Sequence, residues 1–438
     1  MGNIMLDVLK AQKEGRAVGI YSACTGNALV LEACMRHAVA TNTPLLIEAT
    51  ANQVDQYGGY TGMKPAQFMD MIVELAKRTG LPMDRIVLGG DHLGPLTFAH
   101  YGEEKAMAES SELIRQYVEA GFTKIHIDTS MKVASDDPDT RLSDEVIARR
   151  GAHLAKVAED AYQHLKEKNP DAVHPVYIVG SEVPIPGGSQ AAVDTGVQVT
   201  RPEDFRATVE AFRQAFLAEG LEDAWKYVIG VVVQPGVEEK DAGCTEYDRA
   251  KAAHLMAAIR EYPALMFEGH STDYQTKIHL RELVEDGVGI LKVGPGLTLA
   301  LREGLFALAF AEKEYFAHAP EKQSHFMEAL DAAMQKDPKH YQKHYHGTPE
   351  EIALKRKYSF SDRCRYYLPV PEVEEAMHTL FANFAGGVPL NLLSQFMPIQ
   401  YTKVREGQLE NRPEALVMDR VANTIDEYLY GTRQEQLF

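Results

Sequence analysis

The sequence predicts an α/β protein, a (β/α)8 TIM barrel with an additional, mostly helical C-terminal region. Three observations carry this prediction. Eight short β-branched runs alternate with longer helical stretches over the first 300 residues. From the second run onward, polar or metal-capable residues follow at the same end. Beyond residue 300 the strand pattern stops.

The eight runs are 19–22, 45–49, 85–88, 124–127, 175–179, 227–233, 264–267 and 289–293. They are continuous apolar runs, as strands buried on both faces require. The helical stretches include 65–77, 103–120, 144–168, 202–218 and 247–262, and residues 1–15 form a short amphipathic segment. Such an alternation is that of a parallel sheet covered by helices, and eight units favour a closed barrel over an open sheet. No GxGxxG follows the first strand, which argues against a dinucleotide-binding version of the open sheet. Residues 301–317, 322–334 and 372–384 read as helices. The expected organisation is therefore a catalytic barrel over residues 1–300 and a helical extension over 301–438, packed on the barrel.

Composition narrows the function classes. The 45% apolar content supplies a large core, and the formal charge of −18 argues against a nucleic-acid partner. A few local donors would still suffice for an anionic metabolite. Cys24, Cys34, Cys244 and Cys364 are far apart and form no CxxC, so reduced thiols are expected. The start lacks a signal-peptide core, position 6 is Leu where a myristoylation signal needs Ser or Thr, and no run approaches the ~18 apolar residues of a membrane span. A cytoplasmic protein without a membrane partner is expected.

In a barrel the strand ends gather into one face, where residues distant in sequence converge. The ends here carry Glu48 and Asn52, Asp91 and His92, His126 and Asp128, Glu182, Gln234, Glu268, His270 and Asp273, and Lys292 with Gly294. His92, Glu182 and His270 could supply two imidazoles and a carboxylate to a borderline divalent ion such as zinc, with Glu268 and His126 as replacements. Asp91 stands where a carboxylate could exchange a proton with a substrate hydroxyl. Asp128 and Asp273 could orient a ligand histidine, act as the second acid/base or cap a following helix. Gly294, Pro295, Gly296 and Thr298, with Ser271 and Thr272, lie where barrels commonly cradle phosphate. Neither segment is a Walker loop, so P-loop ATP chemistry is not indicated. His340, His344 and His346 read as surface or helix-end histidines. Lys355, Arg356 and Lys357, leading to Arg363, form either a solvated face or a wall toward an anionic substrate.

EATANQVDQYGGYTGM, GGDHLGP, KIHIDTS, GSEVPIPGG, VVVQPGVE, FEGHSTDYQT, LKVGPGLT, SDRCRYY and PLNLLSQFMP together resemble the GatZ/KbaZ family. That family is named for tagatose-1,6-bisphosphate aldolase and is related to class II aldolases. The resemblance spans essentially the whole chain. It implies a barrel with extra C-terminal helices and a phosphorylated ketohexose as substrate. In class II aldolases the DH pair gives a catalytic Asp and a metal-binding His, which match Asp91 and His92 here. His270 within GHST approximately matches a third ligand motif. Gly180-Ser181-Glu182 stands where those enzymes place a histidine, so the ligand type must change.

The resemblance implies C4 epimerisation between D-tagatose 6-phosphate and D-fructose 6-phosphate, and the expected route is zinc-dependent, by retro-aldol and aldol steps. Its alternative is a component or stabilising subunit of a class II D-tagatose-1,6-bisphosphate aldolase, with a separate catalytic chain as partner. Homo-oligomerisation is left open, and no organic cofactor is expected.

Overall fold

A computed structural model describes residues 2–183 and 197–437. Ten strands are formed in chain order: β1 Ile20–Cys24, β2 Leu45–Thr50, β3 Ile86–Leu93, β4 Lys124–Ile127, β5 Val176–Val179, β6 Val228–Val233, β7 Glu238–Lys240, β8 Gly243–Thr245, β9 Met266–Gly269 and β10 Val288–Val293. Eight of them close a parallel barrel in the order β1-β10-β9-β6-β5-β4-β3-β2, while β7 and β8 form a small antiparallel hairpin after β6. Every predicted run becomes a barrel strand. The hairpin is additional, and β3 runs five residues further than the 85–88 expected.

That extension passes through Gly89 and Gly90, residues with low strand propensity. Their place in the barrel depends on having no side chain. A Cβ on Gly89 would lie 2.7 Å from Cγ of Glu48, and one on Gly90 would lie 2.5 Å from a methyl of Leu93.

Helices Ala28–Thr41, Pro65–Thr79, Glu103–Glu119, Asp144–Lys168, Pro202–Ala218, Arg249–Ala258, Lys277–Glu285 and Pro295–Tyr315 form the outer ring. Side chains of Asn27, Ser143, Asp248 and Thr276 cap four of them by accepting N–H groups of the first turn. The last ring helix, Pro295–Tyr315, crosses position 300, and residues 316–325 separate it from helix Phe326–Lys336.

Inside the barrel, side chains two apart along a strand stack toward the C-terminal ends of the strands. The lowest level is apolar and includes Ile20, Leu46, Val87, Ile178, Met266 and Ile290. Helix Ile4–Lys13 plugs it with Met5 and Val8, both fully buried. Each contributes about 1.5–3 kcal/mol by leaving water. Asn3 fixes this plug by donating to the carbonyls of Thr123 (2.8 Å) and His174 (3.2 Å). Two residues further along the strands come Ser22, Glu48, Glu268 and Lys292, and above them Asp91, His126 and His270. The barrel interior thus grades from hydrocarbon through paired charge to imidazole.

The C-terminal region contributes helices Phe326–Lys336, Pro349–Tyr358, Pro371–Asn383, Leu390–Phe396, Pro398–Arg405 and Pro413–Thr432. The last packs across ring helices Lys277–Glu285, Pro295–Tyr315 and Ala28–Thr41, burying Leu416, Val417, Val421, Ile425 and Tyr428. Just beyond it, Gln434 accepts from the Tyr21 N–H (3.0 Å) and donates to the Pro44 carbonyl (2.7 Å). Among the described residues, no helix is long and apolar enough to cross a membrane.

Candidate metal centre and reaction cleft

The floor of the site is a buried charge network. Lys124 donates to both oxygens of Glu48 at 2.8 Å and lies 2.7 Å from Glu268. Lys292 lies 3.0 Å from Glu48, 3.8 Å from Glu268 and in close contact with Asp91. Their side chains are at most 5% exposed. Burying ions is costly unless each is paired, and here each ammonium serves more than one carboxylate. Counting Asp128, four buried carboxylates face two ammoniums. The remaining negative charge can be relieved by protonating a histidine or by binding a cation.

Above this floor, His92, His126 and His270 form a triangle. Their ring centroids are 5.0–5.1 Å apart, and all three are buried. Each ring has a carboxylate on one nitrogen. His92 Nδ1 lies 2.8 Å from Asp128, His126 Nδ1 lies 2.9 Å from Asp91, and His270 Nε2 lies 2.9 Å from Glu268. At His92 and His270 the carboxylate behind the imidazole fixes the tautomer and raises ligand basicity, leaving the other nitrogen for a metal, whereas His126 Nδ1 also accepts the His92 N–H at 3.1 Å.

The local backbone is shaped for this arrangement. The pairing of β3 with β4 shifts register between Gly90 and Leu93, and His92 sits in the left-handed region at φ 51°. A non-glycine residue held there stores strain, and such strain clusters at functional positions. Ser271 and Tyr274, after β9, share this backbone conformation at φ 54° and 66°. Gly94 lets the bulged strand meet the next one, since a Cβ on it would fall 1.8 Å from the Asp128 carbonyl oxygen.

Electrostatics set the protonation states. Burial alone would raise the Asp91 pKa, but His92, Lys292 and the bond to His126 hold it well below the usual carboxylate range. Burial pushes His270 down to about 3, so its ring is neutral and able to act as a ligand. Burial disfavours charge on His92 too, yet Asp91 and Asp128 outweigh it and raise its pKa.

The residues present fit a divalent ion. One ligand atom each from Asp91, His92, His126 and His270 lies within 4.8 Å of the others, and His126 Nε2 is buried without a hydrogen-bond partner. Three imidazoles with an open position suit zinc-type chemistry.

The structure brings together most, but not all, of the sequence-derived candidates. Glu182 does not join the imidazoles: its carboxylate accepts from the Thr200 hydroxyl at 2.6 Å and lies 3.9 Å from Arg141. His126, expected only as a replacement, takes the third position. The short β5 ends before Glu182, whereas the Lys124–His126 alternation on β4 turns the imidazole inward. Asp128 lies against His92 Nδ1, a position from which it would orient the ring.

Asp273 accepts from the N–H groups of Gly294 (3.0 Å) and Gly296 (2.7 Å), closing the start of helix Pro295–Tyr315. The amides expected to cradle phosphate are therefore already engaged. Burial, then the nearby Glu239 charge, pushes Asp273 up to about 7.

Asn52, Ser271, Lys292 and Gly294 line a cleft with Asp91, His92 and His270. Four other candidates do not. Glu48 lies in the charged floor, and Gln234 accepts from the N–H groups of Gly236 and Val237. Thr272 donates to the Lys292 carbonyl, and Thr298 donates to Asp362. Glu239, Arg365 and Tyr366 also line the cleft and were not foreseen. Glu239 comes from the unexpected hairpin, while Arg365 lies two residues past the basic segment. Within that segment, Lys355 pairs with Asp241 and Arg356 with Asp331.

The model of the D-tagatose-1,6-bisphosphate aldolase subunit GatZ/KbaZ-like family matches residues 5–433. A crystal structure from Sinorhizobium meliloti 1021, described as a probable tagatose 6 phosphate kinase, is 41% identical. It superposes with a TM-score of 0.85 over 94% of this chain and 100% of that one. A fructose-bisphosphate aldolase from Campylobacter jejuni is 13% identical, with a TM-score of 0.45 over 87% of this chain and 92% of that one. With a whole-chain family match and a relative at 41% identity, the chain belongs to the D-tagatose-1,6-bisphosphate aldolase subunit GatZ/KbaZ-like family.

Proposed function

We propose that this chain carries out metal-assisted aldol chemistry at the C3–C4 bond of a ketohexose phosphate, as a component of a tagatose-1,6-bisphosphate aldolase. The observation that supports the chemistry is the triangle of carboxylate-backed imidazoles beside Asp91 and Lys292. The family description supports the assembly. The kinase description of the Sinorhizobium protein fits this donor set less well. Phosphoryl transfer uses Mg²⁺, which takes oxygen ligands, whereas three imidazoles select a softer ion.

A bound divalent ion, most naturally zinc, would supply Lewis-acid stabilisation to charge developing on substrate oxygen. The protein's own groups account for the rest. Asp91, held by Thr50 at 3.0 Å and by Lys292, is the acceptor for the C4 hydroxyl proton. Its low pKa makes it a weak base while Lys292 is in contact, so release of that contact by substrate would restore its basicity. As the proton leaves, the C3–C4 electron pair passes to the C2 carbonyl oxygen and a triose aldehyde separates. Asp128 and Glu268 hold the imidazoles throughout.

A second reading is stand-alone C4 epimerisation, in which the aldehyde turns and C3 re-adds to its other face. The completeness of the cleft favours it, because a purely stabilising subunit has no need of Asp91, three imidazoles and Lys292 in one place. The test uses the purified chain with tagatose 6-phosphate and with tagatose 1,6-bisphosphate. Each is run alone and with a class II aldolase catalytic chain, after metal stripping and after zinc reloading. The component reading expects triose phosphate release to rise on mixing. The epimerase reading expects fructose 6-phosphate from the chain alone. Neither product in the zinc-loaded samples would remove both.

A further inference from the structure

The two cations on the cleft wall are used differently. Lys292 is held by Glu48, Asp91 and Glu268. For Arg365, among the described residues, no carboxylate oxygen lies within 4.0 Å of the guanidinium. Its Nη1 donates to the Asp362 carbonyl, and its Nη2 donates to the Tyr366 hydroxyl at 3.2 Å. The guanidinium also stacks over that ring, 4.7 Å from its centroid. With five N–H donors, the group has capacity to spare for an anionic ligand.

Its position is at a junction. Arg365 lines the reaction cleft and also a neighbouring pocket bounded by Thr25, Asn27, Tyr60 and Thr61. Tyr60 and Tyr366 meet edge to face beside it, with centroids 4.7 Å apart. These rings hold the Arg365 side chain in place without neutralising it. The common alternative, amides at the start of helix Pro295–Tyr315, is closed because Asp273 takes the Gly294 and Gly296 N–H groups.

We propose that Arg365, positioned by Tyr366 and Tyr60, is the anion subsite of the cleft and reads a phosphate ester on the substrate. This rests on the reading that a ketohexose phosphate enters the cleft, and it deepens that reading by naming the residue that separates phosphorylated from free sugar. Charge-assisted guanidinium–phosphate bonds are strong and geometrically specific.

The test compares wild type, R365M and R365K, all zinc-loaded. Inorganic phosphate binding is measured by titration calorimetry, and KM and kcat are measured for tagatose 6-phosphate and free tagatose. R365M is expected to weaken phosphate binding by about 10- to 100-fold. It should raise KM for the phosphorylated sugar similarly, change kcat less, and leave free tagatose and zinc content unaffected. R365K keeps the charge but loses the fork, so an intermediate loss is expected, and it carries the test if R365M misfolds. Wild type that fails to bind phosphate, or a folded variant that binds it as tightly as wild type, overturns the proposal. Phosphate binding that depends on Arg365 without turnover of any ketohexose phosphate keeps the subsite and removes the proposed function. Turnover with unchanged KM in R365M removes the subsite alone.

Discussion

Replacing Lys292 by methionine keeps the side-chain length and removes one of two ammoniums from the barrel interior. At 3.0 Å from Glu48, the lost attraction is about 5 kcal/mol at an effective dielectric of 20, before any relaxation. Breaking a buried pair by removing one partner costs about 3–5 kcal/mol, because the remaining charge stays buried. Lys124, at 2.7–2.8 Å from Glu48 and Glu268, still neutralises part of the floor, so the lower half of that range is expected. For a chain of 438 residues, an unfolding entropy of ~2.1 cal/mol/K per residue converts this to a melting temperature lowered by about 3–4 °C.

The pH dependence follows from Asp91. Its folded pKa lies well below the unfolded value of ~3.9, so its pairing stabilises the protein above that value and is lost as pH falls through the folded pKa. K292M raises the folded pKa. The gap between variant and wild type is then widest near neutral pH and closes toward acid. Zinc should narrow the gap at neutral pH by returning positive charge to the same place. The assay is thermal unfolding of the metal-stripped proteins at several pH values, with and without zinc. Melting points within about 1 °C at pH 7, or a gap independent of pH, would refute the charge-balance argument.

Three further outcomes follow. H126N should reduce zinc affinity by at least about 100-fold in a competition titration, whereas E182Q, outside the imidazole triangle, should stay within about threefold of wild type. The reverse ranking would restore Glu182 as a ligand. D128N leaves His92 in place but weakens its backing, and a loss of 10- to 100-fold in zinc affinity is expected, read by the same titration. G94A forces a methyl toward the Asp128 carbonyl, where an unrelaxed Cβ would sit at 1.8 Å. Destabilisation of about 1–3 kcal/mol, with weaker zinc binding, is expected in denaturant melts. Wild-type behaviour there would show that the bulge can shift freely.

The barrel was readable because its signal is long-range and repeated: eight apolar runs, each followed by polar residues at one end. The pair Asp91 and His92, and His270 across the barrel, could be placed from strand ends alone. His126 was harder to rank, because an imidazole within the Lys124–Ile127 strand looks like packing until the alternation of side chains turns it toward the axis. Glu182 misled for the converse reason, since a carboxylate just past a short strand can turn toward Thr200 and Arg141 as readily as inward. Glu239 and Arg365 lay beyond the reach of strand-end reasoning. One sits on a hairpin of three-residue strands, and the other arrives from a helical region whose docking on the barrel no local pattern encodes. Gly89 and Gly90 obscured the true end of β3, because their absence of side chains reads as a turn where it serves a close approach.

The clasp formed by helix Pro413–Thr432 and Gln434 bears on biosynthesis. A ribosome makes all eight barrel strands before it makes this segment, yet β1 receives a side-chain partner for the Tyr21 N–H only from Gln434. Until then, ring helices Ala28–Thr41, Lys277–Glu285 and Pro295–Tyr315 present to the cell the apolar surfaces that Leu416, Val417, Val421 and Ile425 later cover. A nascent chain in that condition is sticky, and chaperone engagement would fall in this interval. The seam along β1 is therefore sealed only after helix Pro413–Thr432 and Gln434 have been made.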